Sequence, residues 1–158
     1  MECKDVMAPI KTTLYVEDPA STAIDFMMEK HMGLVPVVDR QGVFVGLLSG
    51  DRLMHFMLPK SVSMMRGKKY ASFLREGREE LRERLEELRR HPIGDLVDRN
   101  VKVAYPDTGL VDAMIDLCEK QFVVPIVERE TRKLLGAVSF FSVLHALKEK
   151  ENERTSGP

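Results

Sequence analysis

Two short polar stretches, each directly after an apolar run, hold side chains that could bind a charged molecule. The first is SGDR at 49–52, and the second is SFFS at 139–142. If a helix begins after each serine, its free backbone amides and the hydroxyl converge on one point, which suits a phosphate. Arg52 could add a positive charge there, although a solvated side chain is the simpler interpretation. Ser49 and Ser139 are equally suited to a purely structural N-cap, so both roles stay open.

The two stretches belong to an internal repeat. A shift of 90 positions aligns several identical pairs, and a one-residue gap in the middle aligns Pro36 with Pro125. Apolar residues recur at i, i+3, i+4, i+7 and i+8 from Ala20 and again from Leu110, which predicts one amphipathic helix per copy. The identical pairs include Tyr15 and Tyr105, Gly46 and Gly136, Ser49 and Ser139, and His55 and His145.

Each copy predicts the same order of elements. A short strand (about 12–15 and 101–104) precedes the amphipathic helix, for which Asp18 and Thr108 are the expected N-caps. A hairpin of apolar strands follows, at 35–39 with 43–48 and at 123–127 with 134–138. A second helix is expected at about 51–57 and 140–148. The predicted organisation is a repeat at 1–57, a helical linker at 58–92, a repeat at 93–149 and a flexible tail at 150–158.

The linker carries Leu81, Leu85 and Leu88 at helical spacing among interleaved charges. Two interpretations are open: a solvated helix that packs on its own repeat, which is slightly favoured, or a contact surface for a second subunit or a partner. The second interpretation would also use Tyr70, Phe73 and Leu74.

Composition limits the classes of function. The 158 residues are 44% apolar and 31% charged, with a formal net charge of −1, so nothing draws the whole chain toward nucleic acid, and nucleic-acid binding is unlikely. No stretch reaches the length of a membrane span or a signal peptide. The two cysteines form no disulfide framework, and Cys118 lies on an apolar stripe, which favours a core position. We therefore expect a reduced, soluble, cytoplasmic protein.

Catalytic motifs are missing from the sequence. Phosphate-loop, dinucleotide-binding, zinc-protease, C-x-x-C and G-x-S-x-G patterns do not occur. His55 and His145 each lack a second ligand at metal spacing, which favours surface histidines. We expect neither an enzyme nor a metal site.

The order and duplication of several motifs resemble a tandem pair of CBS domains, regulatory modules named after cystathionine β-synthase. The matching motifs are DVM at 5–7, VPVVD at 35–39 and GLLS at 46–49, with GDLV at 94–97, VPIVE at 124–128 and GAVS at 136–139 in the second copy. The resemblance implies a mixed α+β or α/β fold of two β-α-β-β-α units related by pseudo-twofold symmetry, with two clefts between the units. It also implies a homodimer and a regulatory ligand such as AMP, ADP, ATP or S-adenosylmethionine, with no required cofactor.

In such modules the ligand is held by backbone near the first strand, by apolar residues before a proline and by a Ser/Thr-x-x-Asp motif. This chain departs from the motif, because Arg52 and Ser142 stand where the resemblance expects aspartate, and Asp51 comes one residue early. Two hypotheses follow: a sensor of an adenosine-containing nucleotide, which is preferred, or an interaction scaffold whose clefts no longer bind nucleotide. The candidate ligand-binding residues are Lys11, Thr12, Leu34, Val35, Pro36, Ser49, Asp51, Arg52, Lys102, Val123, Val124, Pro125, Ser139 and Ser142.

Overall fold

The computed structural model describes residues 1–10, 12–59, 77–119 and 121–156. The strands are β1 (Ala8–Pro9), β2 (Leu14–Tyr15), β3 (Leu34–Val38), β4 (Phe44–Ser49), β5 (Val124–Val127) and β6 (Leu134–Val138). The α-helices are α1 (Ala20–Lys30), α2 (Gly50–Met57), α3 (Arg78–Arg90), α4 (Leu110–Cys118) and α5 (Phe140–Thr155). Short 3-10 turns lie at Cys3–Asp5 and Ile93–Asp95. Candidate residue Lys11 and the linker residues Tyr70, Phe73 and Leu74 lie outside the described residues.

The chain forms two compact units that cut across the sequence repeats. Unit 1 comprises Met1–Thr13, Val38–Phe44 and Asn100–Pro158, and unit 2 comprises Leu14–Val37 and Val45–Arg99. The segment that leads into the first repeat is thus packed in unit 1, and the segment that leads into the second repeat is packed in unit 2.

Unit 1 is built on a sheet in the order β1-β6-β5. Strand β1 pairs with β6 in antiparallel fashion, with Ala8 opposite Ala137, and Ala104 forms a parallel bridge to Ile126 beside β5. Apolar side chains from the leading turn, from α4 and from the two strands make one core: Cys3, Val6, Ala104, Ala113, Val124, Ile126 and Val138. The expected strand at 101–104 is therefore reduced to a single bridged residue.

Unit 2 repeats this arrangement around the β2-β3-β4 sheet. The backbone groups of Leu47 and Asp98 exchange two hydrogen bonds of 3.0 and 2.9 Å. Helix α3 packs against α1 and α2, and Leu88 is 3% exposed within the unit 2 core. This confirms that the linker helix packs on its own unit, as the favoured interpretation of its leucine stripe expects.

The predicted N-caps Asp18 and Thr108 were wrong by one residue. Helix α1 has Pro19 as its N-cap and α4 has Gly109, because backbone carbonyls supply the first bonds instead: the Ala20 amide donates to His91 O at 2.7 Å, and the Leu110 amide donates to Met1 O at 3.0 Å. The Thr108 hydroxyl accepts the Tyr105 amide at 2.9 Å and closes the preceding turn.

Two further expectations differ from the structure. Helix α5 continues past Lys150, where a flexible tail was expected, and ends at Thr155, since residues 148–155 are mostly good helix formers and the Thr155 hydroxyl bonds back to Glu151 O at 3.0 Å. Cys118 is exposed rather than in the core, because it is the last residue of α4, beyond the turn that buries Ala113.

Within the described ranges, no helix combines the length and the apolar character that a bilayer crossing needs.

Candidate functional site

Both predicted serines cap a helix. The Ser49 hydroxyl accepts the Arg52 amide at 3.1 Å, and the Ser139 hydroxyl accepts the Ser142 amide at 3.2 Å. Ser49 is the last residue of β4 and Ser139 directly follows β6, so in each repeat the hairpin strand fixes the position of the helix N-terminus. Each hydroxyl keeps its own hydrogen for another acceptor, because capping uses only a lone pair. The arrangement therefore suits a phosphate oxygen without losing the cap.

The first repeat places its two charged candidates on α2 with different surroundings. The Asp51 carboxylate is exposed in the first turn, where a negative charge is favourable to the helix dipole. Arg52 donates from Nε to Leu96 O at 2.7 Å, which ties its guanidinium to the turn that leads into the second repeat. This bond offsets the unfavourable position of a cation at a helix N-terminus.

The second repeat uses Ser142 in a closed capping box. Its hydroxyl accepts the Ser139 amide at 2.9 Å and donates to Ser139 O at 3.0 Å, and the residue is only 6% exposed. The only hydrogen of this hydroxyl is therefore already donated within the capping box. Ser142 is consequently a poor replacement for an aspartate that would accept hydrogen bonds from a ribose.

The side chain of Lys102 lies among acidic groups in unit 1. Its Nζ is 2.9 Å from Glu119 Oε2 and 3.2 Å from Asp116 Oδ1. Hydrogen bonds to these two carboxylates raise the pKa of the Lys102 ammonium above its ordinary value. The ammonium stays charged, but two partners already balance it.

The backbone of Lys102 has a partner that the sequence did not reveal. Gln121 Oε1 accepts the Lys102 amide at 3.1 Å, while Gln121 Nε2 donates to Lys102 O at 2.7 Å and to Val123 O at 2.8 Å. The only sequence signal is that Gln121 stands shortly before the VPIV strand. This side chain connects the two backbone segments, near Lys102 and before Pro125, that the sequence nominates for ligand binding.

The apolar candidates divide into core and partly accessible positions. Val35 and Val124 are fully buried and belong to the cores of their units, which fits the core interpretation of these valines. Leu34 and Val123, one residue earlier, are half-buried. Pro36 is half-buried, Pro125 is buried, and Thr12 is exposed.

Pro125 keeps its place in the sheet through its carbonyl, which accepts the Ala104 amide at 3.0 Å. A proline has no amide hydrogen to donate, so β5 bonds to this neighbour only through acceptors at that residue.

Other chemistry-bearing groups form no centre in the part of the chain that the structure describes. There, no three His, Cys, Asp or Glu side chains are grouped so that they could hold a metal ion. His55 and His145 are exposed. Cys3 is a free thiol at the core of unit 1, where burial, together with the charge of Asp112, raises its pKa.

The protein belongs to the CBS domain family. The family model for the CBS domain matches residues 3–59 and again residues 93–149, which confirms the tandem pair that the repeated motifs indicate. CBS-pair proteins are generally regulatory modules rather than catalysts.

Solved CBS-pair structures share this fold. The CBS-pair protein CBSX2 from Arabidopsis thaliana is 22% identical, with a TM-score of 0.70 over 96% of each chain. CBSX2 in complex with AMP gives a TM-score of 0.68 over 95% of this chain and 98% of that one. CbpB in complex with c-di-AMP is 13% identical, with a TM-score of 0.68 over 98% of this chain and 89% of that one. No curated protein matches the chain significantly.

Proposed function

We propose that this CBS pair is a non-catalytic regulatory module that binds an adenine nucleotide. The observation that carries the proposal is the duplicated serine cap, Ser49 and Ser139, which begins the last helix of both family-matched repeats. Structures of the same fold contain AMP or c-di-AMP, which supports adenine as the base.

The proposed contacts fall into three groups. In each repeat the capping serine faces the phosphate. The half-buried Leu34 in the first repeat and Val123 in the second contact the face of the base. The backbone at Lys102 and Val123 faces the base edge in the second repeat. Arg52 lends positive charge near the phosphate of the first repeat, whereas the Lys102 ammonium is already paired with Glu119 and Asp116. Both cysteines are free thiols, which suits the reducing cytoplasm.

The test is thermal melting with a panel of AMP, ADP, ATP, c-di-AMP and S-adenosylmethionine, with GMP and CMP as matched controls. A ligand that binds only the folded state at 100 times its Kd adds about 2.7 kcal/mol to the free energy of unfolding. We expect at least one adenine compound to raise the Tm and the two control nucleotides to leave it unchanged. A panel without any shift at millimolar concentration contradicts the proposal.

Glycine substitutions separate the cap from the ligand contact. Replacing an N-cap serine by glycine costs only a few tenths of a kcal/mol, since glycine is itself an acceptable N-cap. Ser49→Gly and Ser139→Gly should therefore keep the Tm of the nucleotide-free protein and weaken AMP binding about tenfold. Unchanged affinity in both variants contradicts the assignment of the hydroxyls to the phosphate.

A second candidate function is a homodimeric interaction scaffold, favoured by apolar side chains exposed on α4 and α5 of unit 1. Val111, Phe140 and Phe141 are 69%, 66% and 70% exposed, and exposed apolar area on helices is typical of interfaces. Val111→Glu with Phe141→Glu should halve the mass in solution of a dimer. Leu135→Glu, an exposed strand position of the same unit, is the control. An unchanged mass contradicts dimerisation through these helices.

A further inference from the structure

The Gln121 carboxamide fills a three-point backbone site in unit 1. One acceptor and two donors of its amide match one donor and two acceptors of the backbone, with all three distances between 2.7 and 3.1 Å. The opposite orientation of the amide would set its oxygen against two carbonyls and its NH2 against an amide hydrogen. The backbone pattern therefore fixes which edge the side chain presents.

In the described part of unit 1, no neighbouring strand forms hydrogen bonds with the backbone amide and carbonyl of Lys102. The ladder beside β5 begins only at Ala104, whose amide bonds to Pro125 O and whose carbonyl accepts the Val127 amide, both at 3.0 Å. Two residues earlier, the side chain of Gln121 pairs with the backbone of Lys102 in the way that a neighbouring strand would. If the side chain swings out, a donor and two acceptors become free together.

The Gln121 carboxamide presents the same pattern of hydrogen-bond donor and acceptor as one edge of adenine. A carboxamide sets a carbonyl acceptor beside an NH2 donor, and adenine sets a ring-nitrogen acceptor beside its N6 amino donor. We infer that the Gln121 side chain occupies the base position of the second repeat and that an adenine nucleotide must displace it. This inference rests on the proposed function and adds an internal competitor to it.

The first repeat lacks this competitor. With the one-residue gap that aligns Pro36 with Pro125, Gln121 corresponds to Met32, and a thioether cannot donate to two carbonyls. The two repeats should consequently differ in affinity, with the second one weakened by the fraction of time that the Gln121 amide is bound. A site that is free only one-tenth of the time has an apparent Kd about tenfold higher.

The test is AMP titration by calorimetry with Gln121→Met, which has a side chain of the same length without the amide. Gln41→Met is the matched control, because Gln41 is the only other glutamine and lies exposed in the turn of the first hairpin. We expect Gln121→Met to bind AMP about tenfold more tightly at one site and Gln41→Met to behave as the wild type.

The outcomes separate the two claims. AMP binding with unchanged or weaker affinity in Gln121→Met overturns the competitor and leaves the proposed function standing. AMP binding by Gln121→Met alone supports both claims. No AMP binding by the wild type or by either variant overturns the competitor for this nucleotide, and a ligand panel without any Tm shift overturns the proposed function as well.

A measurement on the wild type covers the case in which Gln121→Met does not fold. Labelling with ¹⁵N-glutamine gives two side-chain NH2 signals, and Gln41 is the internal reference. Saturating AMP should move the Gln121 signal toward that of a solvated amide and accelerate its hydrogen exchange, while Gln41 stays in place. A Gln121 signal that does not move on AMP binding overturns the inference.

Discussion

Gly136 lies directly against the Ala8 carbonyl, so a Cβ on this glycine would be 2.7 Å from the Ala8 oxygen. Ninety positions earlier, a Cβ on Gly46 would overlap the Asp98 carbonyl in the same way. Gly136 lies on the central strand β6, and Gly46 lies on β4, next to the bridge between Leu47 and Asp98. In each unit the backbone against the glycine belongs to the leading segment of the other repeat. The repeated glycine therefore marks the place in each unit where the leading segment of the other repeat packs against the strand.

Alanine at either glycine should separate the leading segment from its strand. We expect Gly136→Ala and Gly46→Ala each to lower the free energy of unfolding by about 1–3 kcal/mol, because neighbouring backbone cannot move aside cheaply. Gly33→Ala is the matched control, since nothing lies within 4 Å of its added Cβ. Urea denaturation measures the difference, and equal midpoints for all three variants contradict the close approach.

The packing of α3 on unit 2 predicts an uneven response along its leucine stripe. Leu88 is 3% exposed and Leu81 is 40% exposed. Leu88→Ala should cost about 2–5 kcal/mol of unfolding free energy, whereas Leu81→Ala should stay within about 0.5 kcal/mol of the wild type. Chemical denaturation measures the unfolding free energy of both variants. A larger loss for Leu81→Ala than for Leu88→Ala contradicts the observed packing face of α3.

The pH dependence of stability should include a contribution from Asp107. Arg129 donates a 2.7 Å hydrogen bond to its carboxylate and lies 4.1 Å from the ring centre of Tyr105. The hydrogen bond from Arg129 holds the pKa of Asp107 below its ordinary value of 3.8. Because the folded pKa is the lower one, the stabilisation is complete above the unfolded pKa and disappears as the pH falls through the folded value.

Arg129→Gln should return the pKa of Asp107 toward its ordinary value. Carboxyl ¹³C NMR titration follows this group directly, and Arg132→Gln is the control for loss of a positive charge on the same hairpin. A midpoint for Asp107 that stays equally low in Arg129→Gln shows that another group sets it.

Sequence patterns predict the individual helices and strands. They do not predict that the leading segment of each repeat packs in the unit of the other repeat. The helical period from Ala20 and the serine before α5 were sufficient because these two features depend on nearby residues, unlike the N-caps of α1 and α4, where distant carbonyls accept the first amides. Strand β1 has two residues, Ala8 and Pro9, which is too short for any alternation to show. Gln121 was missed for a similar reason: its partners are backbone atoms, and backbone leaves no trace in residue types.

The last prediction is that an acidic side chain in place of Ser142 strengthens nucleotide binding. The family resemblance expects an aspartate there, and a carboxylate at the third helical position can still accept the Ser139 amide with one oxygen and keep the other as an acceptor for a ribose hydroxyl. A hydrogen bond from a hydroxyl to a charged group contributes about 1.5–3 kcal/mol, so Ser142→Asp should tighten AMP binding at least about tenfold. Asn152→Asp, an exposed position on the same helix, is the control for added charge. The gain should shrink with 2′-deoxy-AMP, which has one ribose hydroxyl fewer, and an equal gain with both nucleotides would mean that the new carboxylate acts elsewhere than on the ribose.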